Sequence, residues 1–429
     1  MIITLMTIIF ILGYLAIALE HPIKIDKAAS ALIIGGLGWG LFAFSGVDHH
    51  HMNEHLSHHL VDIGEILFFL LGAMTIVELI DAHQGFTIIT NKITTNNKVS
   101  LMWILSFITF FFSATLDNLT TAIVMSALLA KLIKDKKDLW MFAGIIIFTA
   151  NAGGAWSPIG DVTTIMLWIG GQVTASNIIT SIFIPSVVCA VMPLIYLSFR
   201  LKGKVVRPEM ITLKEHQINP TTKFERNLIF YLGLCGLLFV PIFKTITHLP
   251  PYIGMLLSLG LLWLTTEIIH KTKNHEEKSA LSVIGVLKKI DVPTIFFFLG
   301  ILLAVAALQS AGQLDIVANY LNKTFNGDIY IINIIIGLLS SIVDNVPLVA
   351  GAMGMYEITP TGKFAIDGAF WEFLAYCAGT GGSVLIIGSA AGVAVMGILK
   401  IDFIWYLKNI SLLALIGYLS GAVTYILMQ

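Results

Sequence analysis

Nine residues, Ser113 to Thr121 (SATLDNLTT), set an ionisable Asp117, a carboxamide at Asn118 and hydroxyls at Ser113, Thr115, Thr120 and Thr121 inside an otherwise apolar run. The stretch LMWILSFITFFF leads into them and AIVMSALLA leads out. A charged Asp at the centre of a bilayer helix costs roughly 2.5–3.5 kcal/mol on insertion scales, so a chain that keeps one there generally uses it. The pattern returns 227 residues later as SSIVDNVPL, with Ser340, Asp344 and Asn345 standing where Ser113, Asp117 and Asn118 stood. A third acid, Asp161, closes the glycine-rich AGGAWSPIGD, whose counterpart is TGGSVLIIGS at 380–389. There Gly153, Gly154 and Gly160 face Gly381, Gly382 and Gly388, while Asp161 faces Ser389.

Around the three acids lie Asn118, Thr120, Thr121, Asn151, Thr163 and Thr164 from the first half, and Ser340, Asn345, Thr380, Ser383 and Ser389 from the second. No Arg or Lys falls within these four breaks. Carboxylate, carbonyl and hydroxyl oxygens suit hard cations, so the expected ligand is Na⁺ or Li⁺, with Asp117 and Asp161 as its charged ligands. Burial and neighbouring like charge both raise a carboxylate pKa. An aspartate so placed holds either a proton or a metal ion, and mutual exclusion of the two makes an exchanger. Because Asp161 is matched only by Ser389, the first half should carry more of this chemistry. The same acids also suit the N-caps of the helices that follow them, and the two roles are compatible.

The elements that must position these residues follow from composition. Of 429 residues 57% are hydrophobic and 12% charged, against about 25% charged in soluble domains. Mean hydropathy is +0.88, and several apolar runs reach the roughly 17–25 residues that cross hydrocarbon. Net charge is −1, so no nucleic-acid partner is indicated; the partner is the lipid bilayer. Helices are expected near 2–19, 28–45, 62–81 and 177–199, then 228–243, 251–269, 293–311 and 403–427, with interrupted spans at 140–170 and 371–399. FFLLGAMTIVELIDAHQGF (Phe68–Phe86) matches FFFLGILLAVAALQSAGQL (Phe296–Leu314) at nearly the same offset as the polar motifs. The chain therefore reads as a duplication: a first repeat at 1–199, a cytoplasmic linker at 200–226 and a second repeat at 227–429.

The arms beside Asp117 and Asp344 read as about a dozen residues each, near 18 Å of helix, which is short for a crossing of about 30 Å. Each is expected to be a re-entrant hairpin with its DN tip near the midplane. The fold class is then an all-α polytopic membrane protein of two inverted repeats, each five transmembrane helices plus a re-entrant hairpin and one broken helix. Alternate loops collect 21 of the 25 basic residues. The positive-inside rule makes that side cytoplasmic and puts both termini outside. Inverted repeats with paired broken helices are the architecture of secondary transporters, whose substrates bind at the repeat interface near the midplane.

Other residues carry weaker signals. Glu78, Asp81 and His83 close the third span; they read equally as an interfacial helix end or as an access funnel and pH sensor, with His83 titrating near 6.5. Asp48–His59 holds six of the twelve histidines. It reads as a solvated loop, although a helical 51–59 would align His51, His55, His58 and His59 for a divalent metal. Residues 278–290 read as an amphipathic interfacial helix. Cys189, Cys235 and Cys377 lie in apolar segments without metal spacing. No HExxH or GxSxG motif occurs, so the chain is not expected to be an enzyme. No cofactor is expected beyond the transported ions. On the residues alone, a cation/proton exchanger leads, while an anion carrier and an ion channel remain open.

SATLDNLTTAIVM, TANAGGAWSPIGDVTTIMLW, SSIVDNVPLVAGAMGM and GTGGSVLIIGSAAGVAVMG resemble the NhaD-type sodium:proton antiporters, over nearly the whole chain. The ion-transporter superfamily to which these belong also includes arsenite and dicarboxylate carriers, so the resemblance keeps such an anion carrier as the alternative. The resemblance implies expulsion of Na⁺ or Li⁺ in exchange for H⁺ across a bacterial inner membrane, with greatest activity at alkaline pH, and a homodimer. Its functional positions fall on Asp117, Asn118, Thr120, Asp161, Thr163, Thr164, Ser340, Asp344 and Asn345.

Overall fold

Long apolar runs bounded by Asn, Asp and Thr caps become helices, and helix is the secondary structure throughout. A computed structural model describes residues 2–90, 92–208 and 221–429; among them the sole bridge outside helices joins Asn97 to Lys204. Eight helices are long and apolar enough to cross a membrane, or nine if the bent pair Ala390–Leu399 and Phe403–Asn409 is one span. Ile2–Ala18 and Lys27–Ala43, each of 17 residues, are shorter apolar helices beside them. The protein is thus an all-α, multi-span membrane protein. The linker expected at 200–226 lies partly outside the described residues. Its first part is pinned by Val205 N donating to Asn96 O and Lys134 N donating to Val206 O.

Two helices form the centre. Phe142 to Ala155 and Phe370 to Gly381 are buried at every residue, as befits helices that are hydrophobic all round. Against each lies the helix that precedes a DN motif: Lys98–Leu116 on the first and Ile329–Leu339 on the second. Glycine permits the approach. A Cβ on Gly153 would stand 2.2 Å from Phe110 O, and one on Gly381 would stand 2.0 Å from Gly337 O. A serine then bonds each such helix to its neighbour: Ser113 Oγ donates to Ala150 O at 2.5 Å and Ser340 Oγ to Ala378 O at 2.9 Å.

Packing between the halves is reciprocal. Ala390–Leu399 lies on Asn118–Leu132, and Val162–Ile169 lies on Asn345–Met355. In the same way Lys27–Ala43 packs on Val292–Ser310, and Pro251–Ile269 packs on His49–Ala82.

Several sequence expectations are corrected. The histidine run is no loop but the first turns of the 34-residue helix His49–Ala82. No Gly or Pro interrupts it before Gly64, and Met52, Leu56 and Ile63 keep an apolar stripe against the core. The helix before Asp117 is not a short arm: it has 19 residues, about 28 Å, starting where Asn97 accepts from Val99 N and Ser100 N, and is long and apolar enough to cross a membrane. The helices on either side of Ser340–Asp344 have 11 residues each, near the dozen expected. Residues 278–290 are not one helix: Ser282 caps Gly285 N and divides His275–Leu281 from Val283–Leu287. The last span is likewise two helices, Phe403–Asn409 and Ser411–Met428.

Candidate functional site

The helices break at both DN motifs, at Asp117 alone in the first and over Ser340–Asp344 in the second, and each aspartate caps the helix that follows. Asp117 has φ 72° and ψ 162°, a sparsely populated conformation for a residue with a side chain. Its carboxylate accepts from Thr120 N and Thr120 Oγ1, both at 2.8 Å. Asp344 accepts from Val346 N at 3.2 Å. In the first break, Asp161 accepts from Thr163 N and Thr163 Oγ1 at 2.9 Å, and Thr164 Oγ1 donates to its carbonyl at 2.8 Å. Ser389 takes the same position in the second break and accepts from Gly392 N.

The two DN motifs converge through their asparagines. Asn118 Nδ2 donates to Asp161 Oδ2 at 2.6 Å, and Asn345 Nδ2 lies 3.4 Å from both oxygens of the same carboxylate. Asn118 also donates to Asn151 Oδ1, and Asn151 Nδ2 donates to Ser383 Oγ and Ser389 Oγ at 2.9 and 3.0 Å. Asp161, buried to 1% exposure, is therefore the hub of a network built from both halves. Beside it a cavity of about 40 Å³ is lined by Asp117, Asn118, Thr120, Asp161, Asp344 and Asn345, together with Thr294 and apolar side chains.

Not every expected residue reaches this cavity. Thr163 and Thr164 serve Asp161. Ser340 and Thr380 give their hydroxyls to backbone carbonyls, Ala378 O and Tyr376 O. Thr121 is buried, and its hydroxyl has no hydrogen-bond partner. Glu78 and Asp81 follow Met74, which lines the cavity, at four and seven residues, and so share its helix face. Glu78 is partly buried and Asp81 exposed, and neither lines the cavity. His83 leaves that face: it is fully buried and stacks on His270, with ring centroids 5.0 Å apart. Burial lowers its pKa from the ordinary 6.5. Among the described residues no three His, Cys, Asp or Glu side chains converge on a single metal position; the side chain of His51 lies outside that description.

Sequence reading missed two acids' surroundings and one cation. Lys27 Nζ forms an ion pair with Asp344 Oδ2 at 3.1 Å, so the site does hold a basic group, brought from outside the four breaks. The available signal was a lysine at the first position of an apolar helix, where the helix dipole disfavours a cation. Thr294 joins the lining from the start of Val292–Ser310. Glu372, in the first turn of Ala369–Gly381, is a buried acid away from the cavity; Tyr425 Oη donates to it at 2.6 Å, and Asn177 and Ser181 complete its bonds.

Three cavities follow one another along Val292–Ser310. Thr294 lines a space of about 190 Å³ with Lys27, Asp26 and Asp291. Thr294 and Phe298 line the small carboxylate cavity. Leu302, Val305 and Gln309 line a third, of about 400 Å³, with Asp62 and Glu65. A small carboxylate-bearing chamber thus lies between two larger spaces in a multi-span helical protein, an arrangement compatible with a membrane transporter.

Comparison with known proteins narrows the class. The family model described as citrate transporter matches residues 7–371. Sodium/proton antiporter 1 of Arabidopsis thaliana is 44% identical over 98% of this chain and 72% of its own length. The Na(+)/H(+) antiporter NhaD of Vibrio cholerae is 30% identical over 98% of this chain and 91% of its own, and that of Vibrio parahaemolyticus is 31% identical over 91% and 97%. The chain belongs to the citrate-transporter family and is a relative of the NhaD-type sodium:proton antiporters. It is a transporter and not an enzyme.

Proposed function

We propose that this protein exchanges cytoplasmic Na⁺, or Li⁺, for external protons by alternating access at the Asp117–Asp161–Asp344 cavity. One observation carries the reading: three carboxylates and two carboxamides, drawn from both halves, line a single chamber large enough for an ion and little more. Carboxylate and amide oxygens suit a hard monovalent cation. A carboxyl group must give up its proton before its carboxylate can take the ion, so the same group couples the two fluxes. The flanking chambers of about 190 and 400 Å³ would serve as the two vestibules, opened in turn by movement of one half against the other. The reciprocal packing of the halves supports an inverted-repeat arrangement with repeats at 1–199 and 227–429. Placement in a bacterial inner membrane, both termini outside, and assembly as a homodimer belong to the same proposal. The relatives named above come from a plant as well as from bacteria.

Two observations favour a second reading, a carboxylate-anion carrier: the description of the matching family and the ammonium of Lys27 at the cavity. Everted vesicles loaded with a pH-sensitive dye separate the two. Dequenching on addition of NaCl and LiCl, but not KCl, that is lost in Asp117→Asn and Asp161→Asn supports cation exchange. Proton-coupled uptake of citrate or another oxyanion, without any Na⁺ response, would replace it with the second reading.

A further inference from the structure

Lys27 opens the helix Lys27–Ala43 directly after its N-cap Asp26, whose side chain accepts from Ala28 N. A cation at a helix N-terminus opposes the helix dipole, so its placement calls for a counter-charge elsewhere. That counter-charge is Asp344, 317 residues along the chain, with Nζ and Oδ2 3.1 Å apart. The ring of Phe297 backs the ammonium at 4.2 Å. Both partners in this contact come from the second half. Asp344 lines the ion-sized chamber, while Lys27 lines the adjoining 190 Å³ vestibule, and the two spaces share Leu119, Thr294 and Ala390. The Lys27 ammonium thus stands where vestibule and chamber meet. The charged groups beside it in the vestibule are Glu20, Asp26 and Asp291. Neither member of the pair is sealed in: their side chains are 20% and 11% exposed.

We infer that Lys27 is a tethered stand-in for the transported ion. Its ammonium occupies the Asp344 side of the chamber while no cargo is bound, and an arriving monovalent cation must displace it to reach that carboxylate. Charge explains the arrangement. Three carboxylates around an empty chamber repel one another, and a buried charge without a partner is strongly destabilising. A lysine that swings between Asp344 and the acidic vestibule compensates the empty state and withdraws as the ion enters. One positive charge replaces another at Asp344. The inference rests on the cation-exchange reading and names a residue that sets cargo affinity within it.

Two measurements test it on the full-length protein. In proteoliposomes, Lys27→Met should lower the half-saturating Na⁺ concentration by at least about threefold, because a competing charge is gone, while Lys27→Arg should stay near wild type. In an Asp344→Asn background the added Lys27→Met should change nothing further, since the contact is already lost. In the unmodified protein, a small water-soluble amine reagent followed by peptide mass mapping should label Lys27 faster in NaCl than in choline chloride, over the Na⁺ range in which exchange saturates. If Lys27→Met does not fold, the labelling decides alone. Na⁺ exchange with an unmoved midpoint, or labelling indifferent to Na⁺, overturns the role of Lys27 and leaves the antiport reading standing. A wild-type protein that exchanges no Na⁺ overturns both.

Discussion

Asn345 holds its carboxamide 3.4 Å from both oxygens of Asp161, a carboxylate 184 residues earlier in the chain. With Asn118 at 2.6 Å on the same group, each half contributes one amide to a single acid. Hydrogen bonds to charged groups contribute about 1.5–3 kcal/mol each, and the shorter contact should matter more. We therefore expect Asn118→Ala to raise half-saturating Na⁺ by about tenfold or more, and Asn345→Ala to raise it less. Sodium titrations of dye dequenching check the ranking. A larger effect at Asn345 would contradict the geometry.

Asp161 has a capping role that can be separated from its charge. Asn caps helices about as well as Asp, so Asp161→Asn should preserve the bond from Thr163 N while removing the titratable group. Exchange should vanish with normal yield and a single sharp peak on size-exclusion chromatography. Asp161→Ala should lose exchange and also about 0.5–2 kcal/mol of stability with the cap, seen as a lower melting temperature in detergent.

The His83–His270 pair should register as acid lability. His83 Nδ1 donates to Leu79 O at 2.7 Å, which leaves its Nε2 to accept from His270 Nε2 at 3.3 Å; this assignment follows from the hydrogen-bond network. Both rings are then neutral, and His270 Nδ1 is a buried acceptor without a partner. Burial lowers both pKa values, that of His270 to about 4. Glu225 and Glu267 nearby oppose the shift and Lys273 adds to it. The unfolded chain takes up protons near 6.5 while the folded one does not. Stability is therefore flat above pH 6.5 and falls from there toward pH 4. Melting curves from pH 8 to 5 should show the decline, and His83→Phe/His270→Phe should flatten it. An unchanged slope in the double variant would assign the effect elsewhere.

Gly153 and Gly381 should not tolerate a methyl group. Backbone carbonyls stand 2.2 and 2.0 Å from where each Cβ would fall, and overpacking typically costs about 1–3 kcal/mol or more. Gly153→Ala and Gly381→Ala should sharply reduce the yield of folded protein. Gly40→Ala, with nothing within 4 Å of its Cβ, should be neutral or slightly stabilising. Fluorescence-detected size-exclusion profiles compare the three.

Much of the candidate site, as a shared cavity, was legible in the chain because membrane burial makes polar residues costly and therefore informative. Asp117, Asn118, Thr120, Asp161, Asp344 and Asn345 are the polar interruptions of apolar runs, and all six line one cavity. Ser340 and Thr380 carried the same signal, yet their hydroxyls satisfy neighbouring carbonyls; pattern alone does not separate a hydroxyl that binds a ligand from one that joins two helices. Lys27 escaped because it was counted among the basic loop residues expected to face the cytoplasm, and its partner is 317 residues away. The histidine run was misread from its polarity, whereas the stripe of Met52, Leu56 and Ile63 decided its helical state.

The exchange of helices between the halves sets a schedule for biosynthesis. Asp161 leaves the ribosome 184 residues before Asn345, and Asn151 leaves it 232 residues before Ser383. At about 5–20 residues per second, Asp161 waits roughly 10–40 s for its second carboxamide. During that interval the first half holds an acid in the bilayer with its Thr163 and Asn118 bonds but without Asn345. A nascent chain stalled between residues 200 and 340 should therefore be the stage at which this protein most needs the insertion machinery beside it.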